Sequence, residues 1–218
     1  MKSTFVSTLI AVALAASLAP SARAQLKITE VQSAENTGTI ATTADWWELS
    51  NFGASTIDLT GYKMDDNSDS FSLSVALTGI TSIAAGESVV FAEGLTADQF
   101  RAWWGSGLGS SVQIGTYSGS GVGLSSSSDQ VNIFDSTGTQ IDGVSFSTAT
   151  KGYSFVFESG DIGRSSTVLS VAGVDGAFIS VNGDVGSPGV APVPEPATIA
   201  LAGLGLTALL GFRKRNRS

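Results

Sequence analysis

The chain has 218 residues and contains neither cysteine nor histidine, so any reaction or ligand falls chiefly to carboxylates, hydroxyls and aromatic rings. Without cysteine there is no thiolate nucleophile, no disulfide framework and no Cys-ligated zinc or iron–sulfur centre. Without histidine there is no Ser-His-Asp triad and no imidazole base or metal ligand. Two kinds of chemistry remain open: a pair of carboxylates working on a sugar, and oxygen ligation of calcium. Asp45 and Glu48 lie three apart on one expected strand and would project from opposite faces. A carboxylate-based hydrolase would therefore need acids brought together from separate loops, and the expectation is a non-catalytic protein.

Asp65-Asp66-Asn67-Ser68-Asp69 places oxygen ligands at alternating positions, as a calcium loop does. It departs from the EF-hand pattern, because position six is Ser70 and position twelve is Ala76. A weak calcium site would use Asp65, Asn67 and Asp69, and no other cofactor is expected. Trp46, Trp103 and Trp104 could stack on sugar rings. The competing reading buries Trp46 beneath a neighbouring loop and uses Trp103 and Trp104 to close a short helix onto the body. The glycine runs at 105–109 and 119–123 do not complete a dinucleotide fingerprint, since Ser110 and Leu124 occupy the last position. They read as surface loops, and Ser125 to Ser128 as solvated linker.

The elements that must position these residues are short strands. Alternating apolar runs predict strands at Leu26–Gln32, Trp46–Asn51, Thr56–Thr60, Tyr62–Asp65, Ser70–Ser74, Glu87–Ala92, Asp129–Asp135, Thr139–Phe146 and Ser154–Glu158. Gly, Asn, Asp and Ser clusters separate them. One short helix is expected over Thr96–Trp104, with Thr96 and Gln99 as a capping box. The fold class is all-β: an antiparallel sandwich with one inserted helix. Trp47 and Leu49 should face the core, with Trp46 and Glu48 turned the other way. Asn51 and Asp58 suit local capping of turns.

Both ends read as addresses. Lys2, the apolar run Phe5 to Leu18 and Ala22-Arg23-Ala24 form a secretory signal over residues 1–24, leaving Gln25 as the new N-terminus. At the other end Pro194-Glu195-Pro196 leads into sixteen uncharged residues, 197–212, followed by Arg213-Lys214-Arg215-Asn216-Arg217. Sixteen helical residues span about 24 Å, short of a hydrocarbon core of about 30 Å. The basic cluster would stay on the cytoplasmic side and place the body outside. The whole chain carries a net charge of −8; residues 25–193, with five basic and eighteen acidic side chains, carry −13. That field repels phosphate backbones, so nucleic acid is not an expected partner.

The Pro-Glu-Pro box, short apolar helix and Arg-rich tail together resemble the PEP-CTERM sorting signal of Gram-negative bacteria. The resemblance implies processing near Pro194-Glu195-Pro196 by exosortase, a membrane-embedded cysteine transpeptidase-type enzyme. It also implies a transient stay in the inner membrane and delivery to the cell surface or extracellular polysaccharide. A second resemblance runs through Asp45-Trp46-Trp47-Glu48-Leu49-Ser50-Asn51, Ile57-Asp58-Leu59-Thr60-Gly61-Tyr62 and Ala85-Gly86-Glu87. It continues through Asp129 to Asp135, Ile141-Asp142 and Gly186-Ser187-Pro188-Gly189. This order is similar to the lamin-tail domain, which implies an immunoglobulin-like sandwich. Residues 96–119 and 158–183 look enlarged relative to that family, and Phe178 stands where an aromatic, commonly Trp, is found.

The expectation is therefore three segments: signal peptide 1–24, sandwich 25–190 and sorting signal 191–218 with a single transmembrane helix at 197–212. The function expected is that of an exported, non-catalytic surface or biofilm-matrix protein with a structural or adhesive role. A glycan- or calcium-dependent binding module is the alternative, with exopolysaccharide as the partner.

Overall fold

A computed structural model describes residues 26–158 and 162–192; both address segments lie outside these residues. Two five-stranded sheets carry the fold. In chain order the strands are β1 (Leu26–Gln32), β2 (Trp46–Asn51), β3 (Ile57–Asp58), β4 (Lys63–Asp65), β5 (Val75–Ala76), β6 (Ser82–Ile83) and β7 (Ser88–Glu93). The helix α1 (Ala97–Trp104) follows, then β8 (Ile114–Tyr117), β9 (Asp129–Phe134), β10 (Gln140–Phe146) and β11 (Phe155–Val156). Last come β12 (Arg164–Ser166), β13 (Phe178–Ile179) and β14 (Val185–Gly186). The first sheet runs β11-β1-β2-β7-β8 and the second β12-β10-β9-β4-β5. Two short ribbons, β3-β6 and β13-β14, lie outside them.

The core between the sheets contains Ile28, Val31, Trp47, Leu49, Phe91, Val131, Ile133 and Val144. Alternation along β2 puts Trp47 and Leu49 there, as their spacing requires. The opposite face of the first sheet is covered as well. Trp46, Val90 and Ala92 form a second cluster with Phe100, Trp103 and Trp104 of α1, against which Phe178 packs. Every residue of β1 and β2 is buried as a result. The first sheet is thus the middle layer of three.

The predicted capping box is present: Thr96 accepts from the Gln99 backbone N–H, and the Gln99 side chain accepts from the Thr96 backbone N–H. Phe100, Trp103 and Trp104 are its buried residues. After α1 the chain does not loop freely. A 3-10 turn at Gly105–Gly107 packs so closely that a Cβ on Gly107 would lie 2.2 Å from Phe178. The chain then enters β8, parallel to β7. Parallel neighbours require a crossover, and α1 supplies it. Gly115 is needed within β8, because a Cβ there would meet the Phe91 ring and the Thr78 carbonyl at 2.6 Å.

Several expectations are corrected. The sheets are not wholly antiparallel, since β7 pairs with β8 and β10 with β12 in parallel. Ser70–Ser74 forms turns instead of a strand, and the pairing partner of β4 is Val75–Ala76. The run 105–109 lies at the surface as expected, with Ser106, Gly107 and Gly109 exposed, but its first three residues form a 3-10 turn against Phe178. Beyond residue 95 the sequence signal missed β8, β12, β13 and β14. These are two to four residues long, too short for alternation to register.

Two bulges join the sheets. The register shifts between Ile28 and Glu30 in β1 and between Gln140 and Asp142 in β10. Asp142 is fully buried there and accepts from the Ile28 backbone N–H at 2.8 Å. Arg164 grips both Asp142 oxygens, at 2.9 and 3.0 Å, and donates to the Ile28 carbonyl at 2.7 Å. This charge pair staples β1 of one sheet to β10 and β12 of the other.

Candidate functional site

Glu30 and Glu48 sit directly opposite each other on β1 and β2, turned away from the sandwich core and into the layer beneath the C-terminal segment. Two like charges at paired, buried positions destabilise a sheet unless donors surround them. Donors do surround them. Glu30 accepts from Ser154 Oγ, from Ser170 Oγ at 3.0 Å, and from Ser187 through both its N–H (2.8 Å) and its hydroxyl (2.9 Å). Glu48 accepts from Thr29 Oγ1 at 2.5 Å and the Gly189 N–H at 2.6 Å. Burial raises the Glu30 pKa while the serine bonds pull it down. Burial, then the neighbouring Glu30 charge, pushes Glu48 up to about 8. Chemically this pair is a clamp: it holds Gly186–Gly189 against the sheet with the acids sealed from solvent.

A second acid cluster lies at one end of the same sheet. β1 ends where β2 begins, and β7 and β8 both end there, so the topology brings Glu35, Asp45, Glu93 and Tyr117 together. Asp45 faces the Glu35 carboxyl within hydrogen-bond reach. Its Oδ2 accepts from the Leu124 N–H at 2.7 Å, which ties down the Gly/Ser-rich loop 118–128. Burial first, then Glu35 and Glu93, pushes the Asp45 pKa up to about 8. Glu93 is also raised, by burial and by Glu35. Tyr117 is driven well above the usual phenol range by burial and by the surrounding acids. Its hydroxyl is buried with no hydrogen-bond partner, and Glu35 Oε1 has no donor.

The sequence-predicted residues fall elsewhere. Trp46, Trp103 and Trp104 are 0, 0 and 1% exposed, so they offer no ring to a sugar. They pack edge-on or tilted against one another and Phe100, at centroid distances of 5.3–6.0 Å. The indole N–H groups of Trp46 and Trp103 are spent internally, on Gln32 and Asp184. The loop 65–69 closes on itself. Asp65 Oδ2 accepts from Ser68 Oγ and the Ser70 N–H, and Asp69 Oδ1 accepts from Gln140. Among the described residues no three Asp or Glu side chains converge as metal ligands. Asn51 and Asp58 cap turns as expected, through the Gly53 and Thr60 N–H groups. Pro194, Glu195, Pro196, Arg213, Lys214 and Arg215, like Ala22, Ala24 and Gln25, lie outside the described residues.

Sequence reasoning placed Glu48 on the outer face of β2 but missed its partner. The available signal was Glu30 at the position where the Leu26, Ile28 alternation calls for another apolar residue. Glu35, Glu93 and Tyr117 carried no comparable mark, since acids beyond strand ends are ordinary surface residues.

A cavity of about 570 Å³ opens beside β11. Val156, Val168, Val171 and Val174 line it, together with Ser170, Ser187 and Pro192. The two serines both donate to Glu30, so the clamp forms part of its floor. No helix among the described residues is long and apolar enough to cross a membrane.

Comparison with known families accounts for both halves of this description. Residues 192–216 match the PEP-CTERM protein-sorting motif, which implies an exported, surface-destined protein processed by exosortase. No curated protein matches the chain. Residues 19–148 match the Lamin Tail Domain, covering β1 through β10 and ending before the segment that the two glutamates clamp. Over that span, more than half its length, the chain belongs to the lamin tail domain family.

Proposed function

We propose that this is a non-catalytic display protein: a lamin-tail sandwich, residues 25–190, carried to the outer envelope or biofilm matrix by a disposable sorting segment, 191–218. The signal peptide 1–24 is removed after Ala24, and exosortase acts near Pro194-Glu195-Pro196. The released sandwich serves a structural or adhesive role.

The observation that carries this reading is the Glu30–Glu48 clamp. The sorting motif begins at residue 192, three residues beyond Gly189. A pull on the tether therefore reaches Gly189 and Ser187, the two residues fastened to buried carboxylates, within five residues of the motif's start. Such anchoring suits a module held by its end, and it uses the two most deeply buried glutamates for cohesion instead of chemistry. The buried tryptophans remove the main support for a glycan-stacking module. A carboxylate hydrolase is disfavoured because Glu30 and Glu48 are 1 and 0% exposed.

Intact-mass analysis of the surface-released protein tests the proposal. The expected species starts at Gln25 and ends close to Pro194. A surface pool that retains residues 197–218 would contradict the disposable-tether reading. Turnover by the released protein across a panel of glycans would contradict the non-catalytic one.

A further inference from the structure

Ten large apolar side chains are exposed among the described residues, and eight of them fall between Tyr153 and Val190. Three of these, Val168, Val171 and Val174, are 63, 59 and 51% exposed and line the cavity beside β11. Pro192, the last described residue, lines the same cavity. Val190 runs over the turn that carries Val174, close enough that a Cβ on Gly176 would lie 2.7 Å from its side chain. The chain therefore leaves the fold across its most apolar exposed surface. A contiguous patch of this kind on an otherwise acidic protein marks a contact surface.

Where the chain exits limits what that surface can meet. The uncharged segment starts at Ala197, five residues past Pro192. Five residues of any chain reach at most about 17 Å. With 197–212 inserted in a membrane, Pro192 and the face around it stay within about that distance of the lipid.

Resting on the tether reading above, we infer that the Val168–Val171–Val174 ridge beside Pro192 is a membrane-contact face, seated on the lipid surface while the sorting segment is inserted. Three valines make a weak contact by themselves, comparable to a marginal single-chain anchor. The tether supplies the high local concentration that makes it effective. Cutting the tether removes that advantage, so the same event that frees the C-terminus releases the face from lipid.

The absence of cysteine allows a direct test, because a single introduced thiol is labelled uniquely. Full-length chains carrying Val171→Cys or Leu73→Cys are labelled with an environment-sensitive fluorophore. They are then inserted in phosphatidylethanolamine–phosphatidylglycerol vesicles containing nitroxide lipid. Leu73 is the matched control, exposed to 62% but not part of the cavity lining. The expected result is several-fold stronger lipid quenching at position 171 than at 73, lost when Val168 and Val174 are both changed to Ser with the unfolding midpoint unaltered. Equal quenching at both positions in a carbonate-resistant chain would overturn the contact and leave the tether intact. A dry label at 171 that lipid nitroxides do not quench would instead assign the ridge to the chain's own tail or a second copy. A chain extracted by carbonate would overturn the tether reading, and this inference with it.

Discussion

Two groups of acids, one fully buried and one half-buried, lie along one sheet, barely a strand's length apart in sequence, and they are handled in opposite ways. Glu30 and Glu48 lie opposite each other with serine, threonine and backbone donors on their oxygens. Asp45 meets another carboxyl, with Glu93 nearby, a single backbone donor at Oδ2, and the unpartnered Tyr117 hydroxyl close by. Burial raises the pKa of an acid in both places. The difference lies in the donors: the first group is a fastener, while the second gives loop 118–128 a bond at Leu124 and leaves Glu35 Oε1 and the Tyr117 hydroxyl without partners. Buried acids therefore do not by themselves mark an active site; what the remaining lone pairs meet decides what the acids do.

The sharpest way to break the comparison is Glu30→Ala. It strands the Ser187 N–H and hydroxyl in the interior, leaves Ser154 and Ser170 only each other and the Val185 carbonyl, and opens a cavity; the cost should be about 3–5 kcal/mol. Urea unfolding would measure this, with amide exchange at 185–189 accelerating first. A loss under about 1 kcal/mol would mean the clamp is not a clamp.

Next in size is Trp103→Phe. It removes one of the donors to Asp184, which also receives Gln32, Asn36 and Ser180. Losing one donor among several should cost about 1–3 kcal/mol, less than losing a shared acceptor. An effect larger than that of Glu30→Ala would invert the ranking.

Asp45 and Glu48 also set the pH response. Their folded pKa values, about 8 each, lie above the ordinary carboxylate range. The native state therefore keeps protons that the unfolded chain gives up between about pH 4 and pH 8. Their contribution is complete below about pH 4 and is lost as pH rises toward 8, so thermal midpoints should fall over that window. Asp45→Asn should flatten part of the slope and raise stability at pH 8 by about 1 kcal/mol, because the amide oxygen can still accept from Leu124. A slope unchanged in this variant would place the titration elsewhere.

The smallest effect should come from Tyr117→Phe. The hydroxyl is buried without a partner, so its removal should leave stability unchanged or raise it by up to about 1 kcal/mol. Calorimetry decides this; a clear loss would show that the hydroxyl is satisfied.

The predicted strands that held, Leu26–Gln32 and Trp46–Asn51 among them, are long enough for alternation to separate two faces. The helix was legible because its capping box is local chemistry. β8 was not, because Ile114-Gly115-Thr116-Tyr117 has a glycine where a side chain would mark a face, and that glycine is required by Phe91 and Thr78, distant in sequence. The tryptophans show the limit of composition. Their residue type favoured burial but left a sugar platform open, and the covering layer decided for burial.

From the chain alone came the two addresses, the acidic body, the lack of thiol and imidazole chemistry, and a family-like order of strands. All of these are set by residue type and short-range spacing. The tertiary structure alone decided that Glu30 meets Ser187, that Asp45 meets Glu35, and that the exit of the chain lies among exposed valines. Such pairings depend on which strands become neighbours and in what register. A carboxylate's role follows from the donors that the fold brings to it, and the sequence between them does not record that distance.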